Sequence, residues 1–376
     1  TKENGIAIGF DATNQSIDSV AIGREATSSK DMDVAIGKQA KATGGESLAF
    51  GSQSKASGEA TVAVGKEANS SGSSAVAVGY QSVASHNNVV AVGKNAAATA
   101  ENAVAVGLRA TGSGTRAVSV GAGTAATGNQ SLAVGFISKA VGDNSIAQGN
   151  NASSAHTSDI AIGTNAAANG TDTPAGSSTA QNAGTAISIG ANSVATGVAT
   201  TALGQAAHAT QNGAVAVGSN ANATNKAAAA LGRDSNASGE SSTALGSGAN
   251  ASGQYSFAGS VKAKASGLQS IAIGRNAEAS AENSVAQGSA AKATAKDTVA
   301  VGTEANATAL NAIAIGKNAN AGTANSVALG SDSVTDRVHL YPSHTIAGNT
   351  YNFAGAKPGQ VVGVVSVGAP GKERQI

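Results

Sequence analysis

The chain has no cysteine and no tryptophan, one methionine, four prolines and only 2% aromatic residues. Each shortage removes a class of protein. Without cysteine there are no disulfides, thiolate nucleophiles or thiolate metal sites. An oxidising exterior is compatible with that absence, though not required by it. With so few large side chains the chain lacks the material of an ordinary compact core. The two or three globular domains that 376 residues would suggest therefore fit poorly. No apolar run approaches the roughly 18–20 residues of a membrane-spanning helix. A net charge of +1 supplies no field to gather nucleic acid or anionic membrane. Scarce proline and low net charge also argue against a disordered low-complexity chain. The start, "TKENGIAIG", shows neither an initiator methionine nor a signal peptide and reads as part of something longer.

What the chain has is glycine, 49 residues of it, in a strict order. The phrase Val/Ile-Ala-Val/Ile-Gly places its glycine every 14 residues from Gly9 to Gly163, from Gly190 to Gly246 and from Gly274 to Gly330, with Ser260 standing in the glycine's place. Between Gly163 and Gly190 the step is 27, one repeat plus 13 residues of turn composition at 169–184. Counting from the anchor glycine, position −2 is Ala or Ser, and −1 and −3 are mostly Val, Ile or Leu. That is the period-2 alternation of a strand. Position +3 is Ala, Ser or Thr and +5 is mostly Ala, a second short strand; a further glycine often falls at +7. The glycines are read as tight reversals at positive φ. Two strands and two turns per 14 residues make one coil of a flattened all-β solenoid. Stacked by parallel ladders about 4.8 Å apart, twenty-three such coils would extend roughly 110 Å. We place the Val/Ile rows in the core against the small residues of the opposite strand. The Ala/Ser row at −2 (Ala77, for example) then lies on an outer face covered by symmetric copies. The reverse assignment also satisfies the alternation.

The segments "NSVAQGSAAKA" (283–293) and "NAIAIGKNANA" (311–321) resemble the head repeats of trimeric autotransporter adhesins, the YadA-like group, in period, motif and register over residues 1–335. "GVVSVGAPGKERQI" (363–376) resembles the start of that family's neck. The resemblance implies a left-handed parallel β-roll, an intertwined homotrimer, and display outside the outer membrane of a Gram-negative bacterium. It implies a stalk and a membrane anchor beyond Ile376. It also implies non-covalent attachment to extracellular-matrix proteins (collagen, fibronectin, laminin) or to host-cell receptors. The insert at 169–184 interrupts the array. Residues 336–362 fit no repeat row and are read as a cap or transition segment.

The row at +1 carries charge and rings: Arg24, Lys38, Lys66 and Lys94, with Phe10, Tyr80 and Phe136 among them. Acidic residues recur at +8, as in Asp31 and Glu101. The plain reading is a solvated surface with weak ion pairs. The functional one is a recognition ladder whose repetition converts weak contacts into avidity. A second candidate contact is the insert loop, at Asp172, Thr173, Pro174, Gln181 and Asn182. Gln148 and Gln287 sit at −1, in a row otherwise nearly all aliphatic. They are expected to be buried amides needing partners, either at a ladder edge or satisfied by water, or gathered by symmetry around an ordered water or anion.

Catalysis finds little support, and neither a cofactor nor a metal is expected. His86 and His156 share row +7 but lie five coils apart, roughly 24 Å by ladder spacing, and are read as replacing glycine in a left-handed turn. His339 and His344 could be neighbours in the cap, but no carboxylate or third histidine joins them. The glycines are not a phosphate loop, since no helix follows them. The period is neither that of hexapeptide acyltransferases nor that of calcium-binding nonapeptides. Asn-x-Ser/Thr triplets such as those at Asn222 and Asn306 fall at +4 and are products of the repeat. The alternative to an adhesive head is a spacer or autoagglutination rod that holds other binding domains away from the cell.

Overall fold

The computed structural model describes residues 3–170, 185–336, 343–352, 361–372 and 374. It divides into two compact units, Thr1–Thr200 and Thr201–Ile376. Among the described residues, thirteen strand pairs form the first unit and ten the repeat part of the second. No helix long and apolar enough to cross a membrane occurs among them.

Most turns of the roll consist of a three-residue strand at −3 to −1 and a two-residue strand at +4 to +5, as in Val76–Val78 and Val83–Ala84. Like pairs with like one repeat away: Val76 with Val90, Ala77 with Ala91, Val83 with Ala97, all parallel. The corner between the strands closes within three residues. In the turn at Gly79, the Ser82 N–H donates to the Gly79 carbonyl at 3.4 Å. So short a corner brings the two sheets together, and the depth between them is small. A Cβ added at Gly112 (+5) would lie 3.6 Å from the Ala103 Cβ (−4), ordinary van der Waals contact between methyl groups.

That spacing decides which face is inside. Ala75, Ala77, Ser82 and Ala84 are all 0% exposed, and the same four rows (−4, −2, +3, +5) form the core throughout. The largest fully buried side chain among the described residues is Val89. The Val/Ile rows point outward instead: Val76 and Val78 are half-exposed, and Ile8 reaches 58%. The core assignment made from the sequence is therefore inverted. So shallow a space is filled mostly by Ala and Ser, and Val89, Thr61 and Thr298 in row −4 are among the largest side chains it takes. The Ala core is thin, since each buried methylene-sized group contributes only about 0.8 kcal/mol. Within each unit the backbone ladders satisfy the polar groups that such a thin layer would otherwise strand. Several buried serines donate their hydroxyl to the carbonyl three residues back, as Ser82 does to Gly79 at 3.1 Å and Ser131 to Gly128 at 2.6 Å, whereas others such as Ser138 and Ser270 do not.

In the first unit the ladder passes over the insert without losing register. Ile160–Ile162 pairs directly with Ile187–Ile189, and Ala167 with Val194. The insert thus falls between Gly170 and Ala186, and the turns on either side of it stay in register. In the second unit, Ser343–Ile346 and Asn349–Asn352 form an antiparallel hairpin. The chain then returns, and Val365–Ser366 pairs in parallel with Val327–Ala328. The described part of 363–376, expected to open a neck, thus lies on the last turn. There Arg374 donates to the Val367 carbonyl at 2.8 Å, and Lys372 pairs with Asp332 at 3.2 Å.

Candidate ligand-contact surface

Two backbone states build each anchor-glycine corner. The anchor glycine takes φ near +133°, as at Gly79, a region that L side chains rarely enter. A Cβ there would lie 2.4 Å from the Gly93 carbonyl oxygen of the next turn. The residue at +2 takes left-handed α geometry, as at Gln81 (φ 55°), which favours Asn and Asp but is filled here by many types. Between them, position +1 is thrown outward at the corner, and successive +1 side chains stack one turn apart.

That row is where the sequence placed its candidate contacts. Lys66, Tyr80 and Lys94 occupy three successive turns and meet: the two ammonium groups lie 5.6 and 5.7 Å from the Tyr80 ring centroid. Phe10, Arg24 and Lys38 occupy the three turns at the start of the same row. Phe136 stands three turns beyond Lys94 and is not brought into the cluster. The rings are open to solvent, with Phe10 72% and Phe136 56% exposed. Two of these +1 cations, Arg24 and Lys66, have an acid beside them at +2, whereas Lys38 and Lys94 are followed by Gln39 and Asn95. Arg24 lies 3.4 Å from Glu25, and Lys66 lies 3.3 Å from Glu67. The Glu67 carboxyl is held below its ordinary range, first by the Gln81 side-chain hydrogen bond and then by Lys66. In row +8, Glu282 meets Lys296 at 2.9 Å and raises its pKa.

Other expected sites fall elsewhere. Gln148 and Gln287 are exposed on the outer face of the chain, because row −1 points away from the core. They are not buried amides within the chain. His86 and His156 do not have positive φ, so they do not replace glycine in a left-handed turn. Glycine suits row +7 for a different reason: a Cβ at Gly72 would fall 1.9 Å from the His86 carbonyl, so row +7 is tight between turns, while the left-handed geometry of this corner falls two residues on, at Ser74 and Asn88. Asp172, Thr173, Pro174, Gln181 and Asn182, and also His339, lie outside the described residues. His344 sits in the hairpin opposite Tyr351. No group of three or more His, Asp or Glu that could hold a metal occurs among the described residues.

Two features escaped the sequence reading. The first is a ladder of amides at +2, in which Gln39 donates to Glu25 at 2.6 Å and Gln81 to Glu67 at 2.7 Å. Its signal was available, since +2 is rich in Asn, Gln, Asp and Glu. The second is a pair of fully buried carboxylates in row −4, Asp33 and Asp159. Asp159 accepts from the N–H groups of His156 (3.0 Å), Gly170 (3.1 Å) and Ala186 (2.8 Å), so one side chain ties both ends of the insert. Burial pushes its pKa up, against the opposing pull of those three donors. Asp33 holds Lys30, Gly45 and Ser47 in the same way, where the next turn is remodelled by Gly44-Gly45. An aspartate in a row of Ala, Ser and Thr thus marks a turn that departs from the repeat.

The family model described as "YadA head domain repeat (2 copies)" matches the chain in overlapping stretches, from residues 1–26 to residues 307–333. Together these stretches cover 1–68, 70–166, 182–221, 223–258, 261–305 and 307–333. A search of curated proteins finds no match.

Proposed function

Because this chain belongs to the YadA head domain repeat family, we propose that it is a non-enzymatic adhesive head, attaching to host extracellular-matrix proteins or host-cell receptors. Adhesin character and exposure at a Gram-negative surface are properties of the family. The ligand class (collagen, fibronectin, laminin or a cell receptor), the location of contact and the assembly are our reading. The observation that carries it is the solvent-open Lys66–Tyr80–Lys94 sandwich at the corner of three consecutive turns. A ring held between two cations is a fixed amphipathic contact, able to meet an acidic or aromatic group with little further ordering.

The half-exposed Val/Ile stripe supports a homotrimer. Two outward rows of branched residues on successive turns form an apolar face of the kind that soluble chains cover. Closed symmetry would cover it with copies of itself and repeat the +1 ladder threefold, so that individually weak contacts gain avidity. The test removes Lys38, Lys66, Tyr80 and Lys94 together by alanine substitution and measures attachment to matrix-coated surfaces. Weaker attachment with unchanged assembly is expected. Unchanged attachment would reject the row as the contact surface.

A further inference from the structure

In the first unit a groove of about 1000 Å³ runs across successive turns between rows +2 and +4. One wall is the ladder of +2 side chains, including Gln39, Gln53, Gln81 and Asn95; the other is row +4, with Lys41 and Lys55 at its middle. Row +4 leaves the second-strand sheet outward, away from the Val/Ile stripe on the first-strand sheet. The groove is distinct from the +1 ladder, and an argument about it stands apart from the adhesion reading above.

The +2 wall is held in place before any ligand arrives. Gln53 donates to the Gln39 side chain at 3.2 Å and Gln39 to Glu25 at 2.6 Å; Asn95 donates to Gln81 at 3.1 Å and Gln81 to Glu67 at 2.7 Å. Each run ends on a carboxylate. An amide has two N–H donors and two acceptor lone pairs. The ladder uses part of that capacity and leaves the rest available along the groove. The side chains are ordered by their neighbours, so part of the entropic cost of fixing them on binding is already met.

Three properties select the ligand. Charge is nearly balanced, with Asp11, Glu25 and Glu67 against Lys41 and Lys55, which disfavours a polyanion. The lining is dominated by planar groups that both donate and accept, the complement of a chain of hydroxyls. The repeat of the wall is about 4.8 Å, whereas an extended peptide presents the same face only every second residue, about 6.6 Å, and falls out of step. One ring of an extended β-linked glycan advances by close to one turn of the roll, and although successive rings are flipped, each carries hydroxyls on both edges, so every turn of the wall meets one. We propose that this groove binds an extended, uncharged, β-linked glycan chain, with one sugar per turn against the +2 amides.

The experiment titrates cellohexaose, and separately a heparin hexasaccharide, into the 376-residue protein by calorimetry at low and high salt. Cellohexaose is expected to bind with little salt dependence, and cellobiose to bind much more weakly. Gln39→Ala, Gln53→Ala and Gln81→Ala combined should weaken cellohexaose about tenfold or more, the loss of a hydrogen bond or two. Alanine is less at home in left-handed geometry, so a second variant, Gln39→Asn, Gln53→Asn and Gln81→Asn, keeps the backbone preference and shortens the reach; it too should weaken binding. The proposal is overturned by absence of cellohexaose binding, by unchanged affinity in the Gln→Asn variant, or by heparin binding alone that salt abolishes. Matrix attachment measured on the same preparations separates the two readings. Attachment without cellohexaose binding overturns the groove alone, and cellohexaose binding without attachment overturns the adhesion reading alone.

Discussion

The inside and the outside of one three-residue strand obey opposite rules. At Val76-Ala77-Val78, the small residue is fully buried and the two large ones are half-exposed. Most proteins put the larger apolar side chain inside, where it removes the most surface from water. Here the corner fixes the depth first, and the side chains follow. The intramolecular core is a spacer of methyl groups between two hydrogen-bonded sheets. On the proposed reading, the larger hydrophobic surface is kept for an intermolecular contact, and stability of the single turn and association of chains are assigned to opposite faces of the same strand.

This contrast is most easily broken by enlarging the inside. Ala77→Leu overfills a space one methyl deep and should cost about 3 kcal/mol, the upper range for overpacking. Val76→Leu on the outer face should change the folding stability of the chain by no more than about 0.5 kcal/mol. Denaturant midpoints of the two variants make the comparison, and similar costs would show that the two faces do not differ as described.

Next in size is the buried carboxylate. Asp159→Ala strands three backbone N–H groups at the base of the insert, an expected loss of about 2 kcal/mol by thermal unfolding. The pH dependence has a definite sign. Burial raises the folded-state pKa of Asp159 above its unfolded value, so ionising it within the fold costs stability. That cost is present at neutral pH and is relieved as pH falls through the raised value. The melting temperature of the parent should therefore rise relative to Asp159→Asn as the solution is acidified, with the nearby His156 (3.8 Å) common to both proteins. A pH-independent difference would contradict the assignment.

Smaller effects sharpen the picture at the corners. Ser260 holds φ of 120°, in the place and geometry of an anchor glycine. Ser260→Gly should relieve strain and gain about 1 kcal/mol, seen as a later unfolding transition. Lys66→Ala, wholly outside, should move stability by less than about 1 kcal/mol while weakening surface attachment. A large stability loss there would give the Lys–Tyr–Lys ladder a structural role.

Much of the architecture could be read from spacing. The 14-residue register, the strand positions, the surviving register at Ser260 and the outward +1 row follow from periodicity and glycine chemistry. The direction of the strand faces did not, because alternation specifies two faces without saying which is inside. That choice depends on the depth of the roll, which is set by the hydrogen bond closing a corner, such as Ser82 N to Gly79 O. The meeting of Lys66, Tyr80 and Lys94 was legible, since one row on adjacent turns must stack. The amide ladder of Gln39 and Gln81 was signalled by the amide-rich composition of row +2, but its run along the roll depends on left-handed geometry at +2, which composition does not show. His86 misled the sequence reading because glycine can be required by crowding as well as by φ.

The central claim is that the outer Val/Ile face, rather than the Ala core, is the surface by which copies of the chain join. Sedimentation of the purified protein beside Val62→Lys, Val76→Lys and Val90→Lys combined tests it most directly, with β-sheet circular dichroism confirming that both are folded. The account predicts a three-chain mass for the parent and a single-chain mass for the folded variant. A single-chain parent, or a variant that keeps the three-chain mass, would contradict it.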